Sequence, residues 1–150
     1  MLFVGCAATL GLLAWHCADD PAGVSAEDLV ALLKDGRTQG YAYSALDTSG
    51  TELVRGVLFV TMEDSTRLSG FWDLTATGNG QGSIGPQIGS GTLEGFREGA
   101  EIQINLNPDY ADNNVFLLGT MSPTGFDGIW QYVGFPGVLA SGRFRAVAAR

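Results

Sequence analysis

The chain has 150 residues, enough for one hydrophobic core and too few for two, and its 22 glycines point to short strands joined by tight turns. Eight Lys or Arg against sixteen Asp or Glu give a net charge of −8 with no basic run, which excludes the footprint of a nucleic-acid binder and electrostatic attachment to an anionic bilayer. An acidic surface keeps such a domain in solution.

Residues 2–15 carry no charge and consist mostly of Leu, Ala, Val, Phe and Gly. The run falls short of the roughly 20 residues of a membrane-spanning helix and has the length of a signal-peptide hydrophobic region, although no Lys or Arg precedes it. With Cys17 at its end, the segment resembles a bacterial lipoprotein leader, in which a cysteine after the apolar run is lipidated and becomes the first residue. Ala18-Asp19-Asp20-Pro21-Ala22-Gly23 then reads as a tether, while Ala14-Trp15-His16 departs from the small residues of the leader pattern. The chain thus divides into a leader and tether, 1–22, and a domain, 23–150. The resemblance implies a secreted or periplasmic protein, membrane-attached only through a lipid on Cys17. Ordinary signal cleavage, and an N-terminal segment packed on the domain, are the other readings.

Both cysteines, Cys6 and Cys17, and the only histidine, His16, fall in the leader. The domain therefore has no disulfide, no thiolate nucleophile and no imidazole base. Residues 24–34 predict one helix, with Ser25 as cap, Asp28 closing a capping box, Leu29, Leu32 and Leu33 on one face, and Gly36 as the stop. Too short to stand alone, it is expected to pack across a sheet or close one end of a barrel.

Beyond Gly40 the apolar period falls from 3.6 to two. Strands are predicted over 41–46, 53–62, 68–77, 91–96, 100–106, 115–121, 126–133 and 138–147. The clearest is 100–106, where Ile102, Ile104 and Leu106 face one way and Glu101, Gln103 and Asn105 the other. Residues 78–91 are glycine-rich and read as a hairpin or barrel-mouth loop, with a short edge strand considered around Ile84. They lack the lysine and following helix of a nucleotide loop.

One internal echo stands out. Leu68-Ser69-Gly70-Phe71-Trp72 matches Phe126-Asp127-Gly128-Ile129-Trp130, and each is followed by a Gly-x-apolar strand, Gly91-Thr92-Leu93 and Gly142-Arg143-Phe144. At these Gly-x-Trp strands the chain resembles small calycin-like barrels, the lipocalin-like and avidin-like proteins. The lipocalin pattern places its Gly-x-Trp near the first barrel strand, whereas a helix and two strands precede Gly70 here. The expected fold is mainly β, an antiparallel meander of about 7–9 strands closed into a small barrel behind one short helix; a two-sheet β-sandwich satisfies the same alternation.

No catalytic residue, metal ligand or cofactor site is nominated. Asp73, Glu94, Glu98 and Glu101 are the formal candidates for a two-carboxylate hydrolase, and nothing in their spacing brings two of them together across a cleft. Asn105, Asn107, Asp109, Asp112, Asn113 and Asn114 supply oxygens of the kind calcium prefers, but not in EF-hand spacing, and an Asn/Asp turn bonded to its own backbone explains them as well. Trp72, Trp130 and Tyr132 are the candidate ligand-binding residues, either lining a cavity for a small apolar molecule or filling the core. A non-enzymatic envelope protein contacting a protein partner is the leading reading, with Phe71, Phe116, Ile129 and Phe135 as its exposed apolar groups if they lie outside the barrel. A carrier of a small apolar ligand is the alternative, which the calycin resemblance also implies, and a hydrolase the third.

Overall fold

The computed structural model describes residues 26–78 and 84–149. The leader reading, with Cys6, His16 and Cys17, falls outside them. A helix, α1 (Ala26–Lys34), precedes eight strands: β1 (Thr38–Leu46), β2 (Glu52–Met62), β3 (Arg67–Ala76), β4 (Gly89–Glu98), β5 (Glu101–Asn105), β6 (Asn113–Ser122), β7 (Gly125–Gly134) and β8 (Gly137–Ala148). Every strand pairs antiparallel with its sequence neighbour, and β1 pairs with β8, so the meander closes into a barrel. Closure leaves no strand edge unpaired and removes the two-sheet alternative.

Alternation decides which side chains enter the lumen. Ile102, Ile104 and Leu106 are buried while Glu101 and Gln103 are exposed, and the same two-residue rhythm buries Leu58 and Val60 on β2, Trp72 and Leu74 on β3 and Val115 and Leu117 on β6. The lumen is apolar and the charged side chains project outward. Across the β1–β8 seam the fill is aromatic: Tyr41 meets Phe126 edge-on at 4.9 Å, Phe126 meets Phe144 at 5.8 Å, and Tyr43 stacks on Phe144 at 6.1 Å. Such pairs add about 0.5–1.5 kcal/mol each beyond the area they bury, at the one junction made by strands from opposite ends of the chain.

The sequence echo is a structural repeat. Trp72 on β3 is the register partner of Gly91 on β4, and Trp130 on β7 is the partner of Gly142 on β8. Two residues away, Gly70 pairs with Leu93 and Gly128 with Phe144. Each indole donates to a backbone carbonyl at the end of the strand beyond: Trp72 Nε1 to Leu106 O at 2.7 Å, past β5, and Trp130 Nε1 to Leu46 O at 2.9 Å, on β1. The equivalences are separated by four strands, so β1–β4 and β5–β8 are two copies of one packing scheme. In each, a tryptophan lies over a glycine and staples three neighbouring strands.

α1 precedes β1 at the tight-turn end. Of the expected apolar face Leu33 is exposed, while the side chains of Leu29 and Leu32 lie outside the described residues.

Candidate functional site

The connections divide by end. Residues 63–66, 99–100 and 123–124 turn the chain tightly at one end, whereas 47–51, 77–88, 106–112 and 135–136 join strands at the other. The long connections are thus all on the second end, called here the loop end. Strand β1 begins at the tight-turn end, so α1 approaches the barrel from there.

The loop end is stoppered by its own chain. Gln87 is completely buried, with its amide Nε2 donating to Ile84 O at 2.6 Å and its Oε1 accepting from Tyr43 Oη at 3.1 Å. A glutamine held on both ends in this way satisfies its buried polar atoms and ties residues 84–88 to a side chain inside the barrel. Burial pushes the Tyr43 phenol well above its ordinary range, so it stays a neutral donor. Gly85 lies against the ring of Tyr132, where a methyl group would overlap the aromatic carbons. Ile84 packs against the core. Among the described residues 84–88 no strand forms: there the segment the sequence offered as an edge strand is a plug, in which Gly85 and Gln87 serve contacts with the mouth rather than a ladder.

Beside the plug, the Asn-rich loop is held by amides. Asn105 Nδ2 donates to Asn114 Oδ1 at 2.7 Å, Asn107 Nδ2 to Asn113 O at 2.6 Å and Asn114 Nδ2 to Tyr110 O at 2.8 Å. These bonds engage the side-chain amides of Asn105, Asn107 and Asn114 within the loop itself, which accounts for these three residues through loop organisation.

On this scaffold the loop end presents apolar side chains to solvent. Phe135, at the tip of the β7–β8 turn, is 94% exposed, and Val138 and Leu139 follow it on β8 at 55% and 49%. Tyr110 from the β5–β6 loop and Ile88 from the plug are also exposed. The three connections converge: position 134 approaches the Asp112 carbonyl and the Leu139 side chain, and Gly85 touches Tyr132 near the end of β7. Loop tips ordinarily carry polar residues, and exposed apolar groups gathered at one pole of a domain mark a contact surface.

The residues singled out from the sequence are dispersed. Trp72 and Trp130 are buried in the lumen with their N–H groups bonded to backbone, and Tyr132 is half-buried beside the plug. Phe71 lies outside on β3, stacked at 4.9 Å on Phe59. Phe116 and Ile129 lie on the outer wall of β6 and β7, and only Phe135 reaches the loop end. Of the four carboxylates, Asp73, Glu94, Glu98 and Glu101, all project outward; Glu98 and Glu101 are register partners and Asp73 sits apart opposite Ser90. Sequence reasoning missed Val138, Leu139, Tyr110 and Ile88; the apolar residues flanking Pro136-Gly137 were the available signal for the first two. Nothing in a glycine-rich run marks Gln87 as buried. Comparison with family models, curated proteins and solved structures finds no match to this chain.

Proposed function

We propose that the protein is a non-enzymatic binding module of the cell envelope that engages a protein partner through the loop end of its barrel. The observation that carries this reading is Phe135, 94% exposed at a turn whose neighbours Val138 and Leu139 are also turned to solvent. A large rigid ring on a two-residue turn between long strands loses little conformational freedom on docking, which is what an anchoring residue requires. The buried side chains of the lumen and the seating of Gln87 at its mouth support recognition at the exterior.

The lipoprotein-like leader fits this arrangement. A lipid on Cys17 would place the tether on the side where α1 and β1 begin, at the tight-turn end, and leave the loop end pointing away from the membrane toward partners in the periplasm or outside the cell. The test is photo-crosslinking of the full chain in the producing cell, with benzoylphenylalanine at position 135 and, as a control, at Thr75 on the outer wall. A discrete adduct from position 135 that is lost when Val138 and Leu139 are changed to Glu is expected. Identical adducts from both positions, or none from 135, would reject the reading.

The carrier reading draws on the calycin resemblance and on the aromatic groups Trp72, Trp130 and Tyr132 near a mouth covered by residues 84–88. It requires saturable binding of a molecule such as dodecanoic acid, with displacement of the plug seen as loss of amide protection around Gln87.

A further inference from the structure

Every strand of the barrel has a neighbour on each side, but β8 outruns β1. Its pairing with β7 extends from Gly137 to Val147, whereas its pairing with β1 begins only at Arg143, opposite Leu46. Residues 137–142 therefore stand beyond the closing seam at the loop end, with no ladder on one side. Alternation along β8 says which groups face that side. Ala148 N donates to Thr124 O, next to β7, and Ala149 N donates to Gly40 O on β1. Odd-numbered residues thus point toward β1, and the register is unbroken back to Ala140. Ser141 is the first residue past the end of β1 whose backbone N–H and C=O point to the side that β1 has left.

The internal repeat shows what such a place holds. β4 likewise outruns β5, since its pairing with β3 starts at Gly89 and its pairing with β5 only at Glu94. There the chain fills its own seat. Trp72 Nε1 donates to both Thr92 O at 3.0 Å and Leu106 O at 2.7 Å, and Thr92 Oγ1 donates to Asp109 Oδ2 at 3.4 Å, so residues 106–109 run beside the free part of β4. In the second half the corresponding connection is the turn 47–51, which bonds to itself: Asp47 N donates to Thr51 O at 2.9 Å and Gly50 N to Asp47 O at 3.1 Å. Among the described residues no hydrogen bond joins this turn to residues 137–142.

We propose that the partner engaged by the loop end contributes an extended segment that adds to β8 as a strand, in line with β1 and, like it, antiparallel to β8. The inference rests on the loop-end reading and names its mode of contact. Unpaired N–H and C=O groups along a strand are complementary to another polypeptide backbone, which makes the ligand an extended, proline-free stretch of chain. At about 3.3 Å per residue the open part of β8 is roughly 20 Å long. Leu139 is an extra residue in the register, between Val138 opposite Val133 and Ala140 opposite Tyr132. Such a bulge interrupts the edge and disfavours flat edge-to-edge pairing of two copies, which leaves a short segment of another protein as the occupant. Exposed Val138 and Leu139, with Phe135 at the tip, lie along the seat and offer apolar contact to its side chains.

The test uses the full-length chain, isotope-labelled. In the free protein the Ser141 amide should exchange as an open one, while Gly142 and Arg143, paired with β7 and β1, stay protected. Titration with the capped peptide Thr-Val-Leu-Val-Thr should give saturable amide shifts confined to residues 137–142 and the turn 47–51, and N-methylation of its first valine and its leucine should abolish them. Ser141→Pro removes the edge N–H and should weaken the peptide by about tenfold with the melting temperature unchanged. A Ser141 amide protected in the free protein, equal shifts from the N-methylated peptide, or pairing of two copies through β8 in place of peptide binding would overturn the proposal. These readouts need no partner and so fail separately from crosslinking at position 135. An adduct there that persists in Ser141→Pro would leave the loop-end contact standing and remove the added strand.

Discussion

The indole of Trp72 lies over Gly91, its register partner on the next strand, so closely that a methyl group at position 91 would sit 2.7 Å from the ring. Trp130 and Gly142 repeat the arrangement, with the same 2.7 Å between a methyl group at 142 and Trp130 Nε1. The glycines are needed for the space they leave. Gly91→Ala should therefore destabilise the barrel by about 1–3 kcal/mol, the usual cost of overpacking a filled core. Gly142→Ala should cost more, since its methyl group also meets the Leu46 carbonyl that Trp130 uses as acceptor. Urea denaturation followed by circular dichroism ranks the two; a neutral Gly142→Ala would show that the tryptophans are not seated as described.

Substitution of the staples themselves separates packing from hydrogen bonding. Trp130→Phe keeps an aromatic ring over Gly142 but leaves Leu46 O without the indole donor; Trp72→Phe does the same at Leu106 O, with Thr92 O as a further acceptor at 3.0 Å. Each change combines lost ring volume with an abandoned acceptor and should cost roughly 2–4 kcal/mol. Hydrogen exchange gives the discriminating readout. Trp130→Phe should speed exchange along the β1–β8 seam, and Trp72→Phe along β4–β5, with the other half of the barrel keeping its protection.

The division between what the sequence disclosed and what it did not follows from what periodicity reports. Alternation in Ile102, Ile104 and Leu106 identifies a strand and its dry face from the chain itself, and the Gly-x-Trp echo identifies two equivalent places in one scheme. Neither says which strands become neighbours when they are distant in sequence. Pairing of Ala45 with Phe144, which closes the barrel, is invisible to any local pattern, so the alternation that predicts a barrel is met by a sandwich as well. The loop end was hidden for a related reason. Phe135, Tyr110 and Ile88 come from three connections, and their shared position exists only once strand direction is known. Gln87 is the extreme case, since its burial depends on the position of Tyr43, 44 residues earlier.

Removing the plug's anchor should expose that dependence as a pH effect. Tyr43→Phe leaves Gln87 Oε1 buried without its donor, a loss of about 1–3 kcal/mol at neutral pH. Burial raises the pKa of Tyr43 in the folded protein above the ordinary tyrosine value of about 10, and burial raises that of Tyr41 in the same direction. The unfolded chain then loses its phenolic protons first. The stabilisation is complete below about pH 10 and declines above it, at about 1.4 kcal/mol per pH unit for each tyrosine still protonated in the folded state. Stability measured by urea between pH 9 and 11 should fall less steeply in Tyr43→Phe than in the parent. Parallel slopes would mean that the phenol is not buried and that Gln87 has another partner.

The acid limb should be governed by aspartates in two turns, one at each end of the barrel. Asp64 accepts from the backbone N–H groups of Arg67 and Thr66, both at 2.8 Å, and from the side chains of the same two residues. These donors hold its carboxyl far below the usual carboxylate range, with the backbone of Arg67 contributing most. Asp47 is lowered in the same way by Ser49 and Thr51 at the β1–β2 connection. A depressed folded value means that the ionised form stabilises the fold above about pH 4, and that this contribution is lost as pH falls through the folded values. Carboxyl-carbon NMR should find Asp64 the last aspartate to protonate. Arg67→Ala should move its titration upward only part of the way, because the N–H groups of residues 66 and 67 persist when the guanidinium is gone. A return to the free-aspartate value in that variant would transfer the credit from the turn to the ion pair.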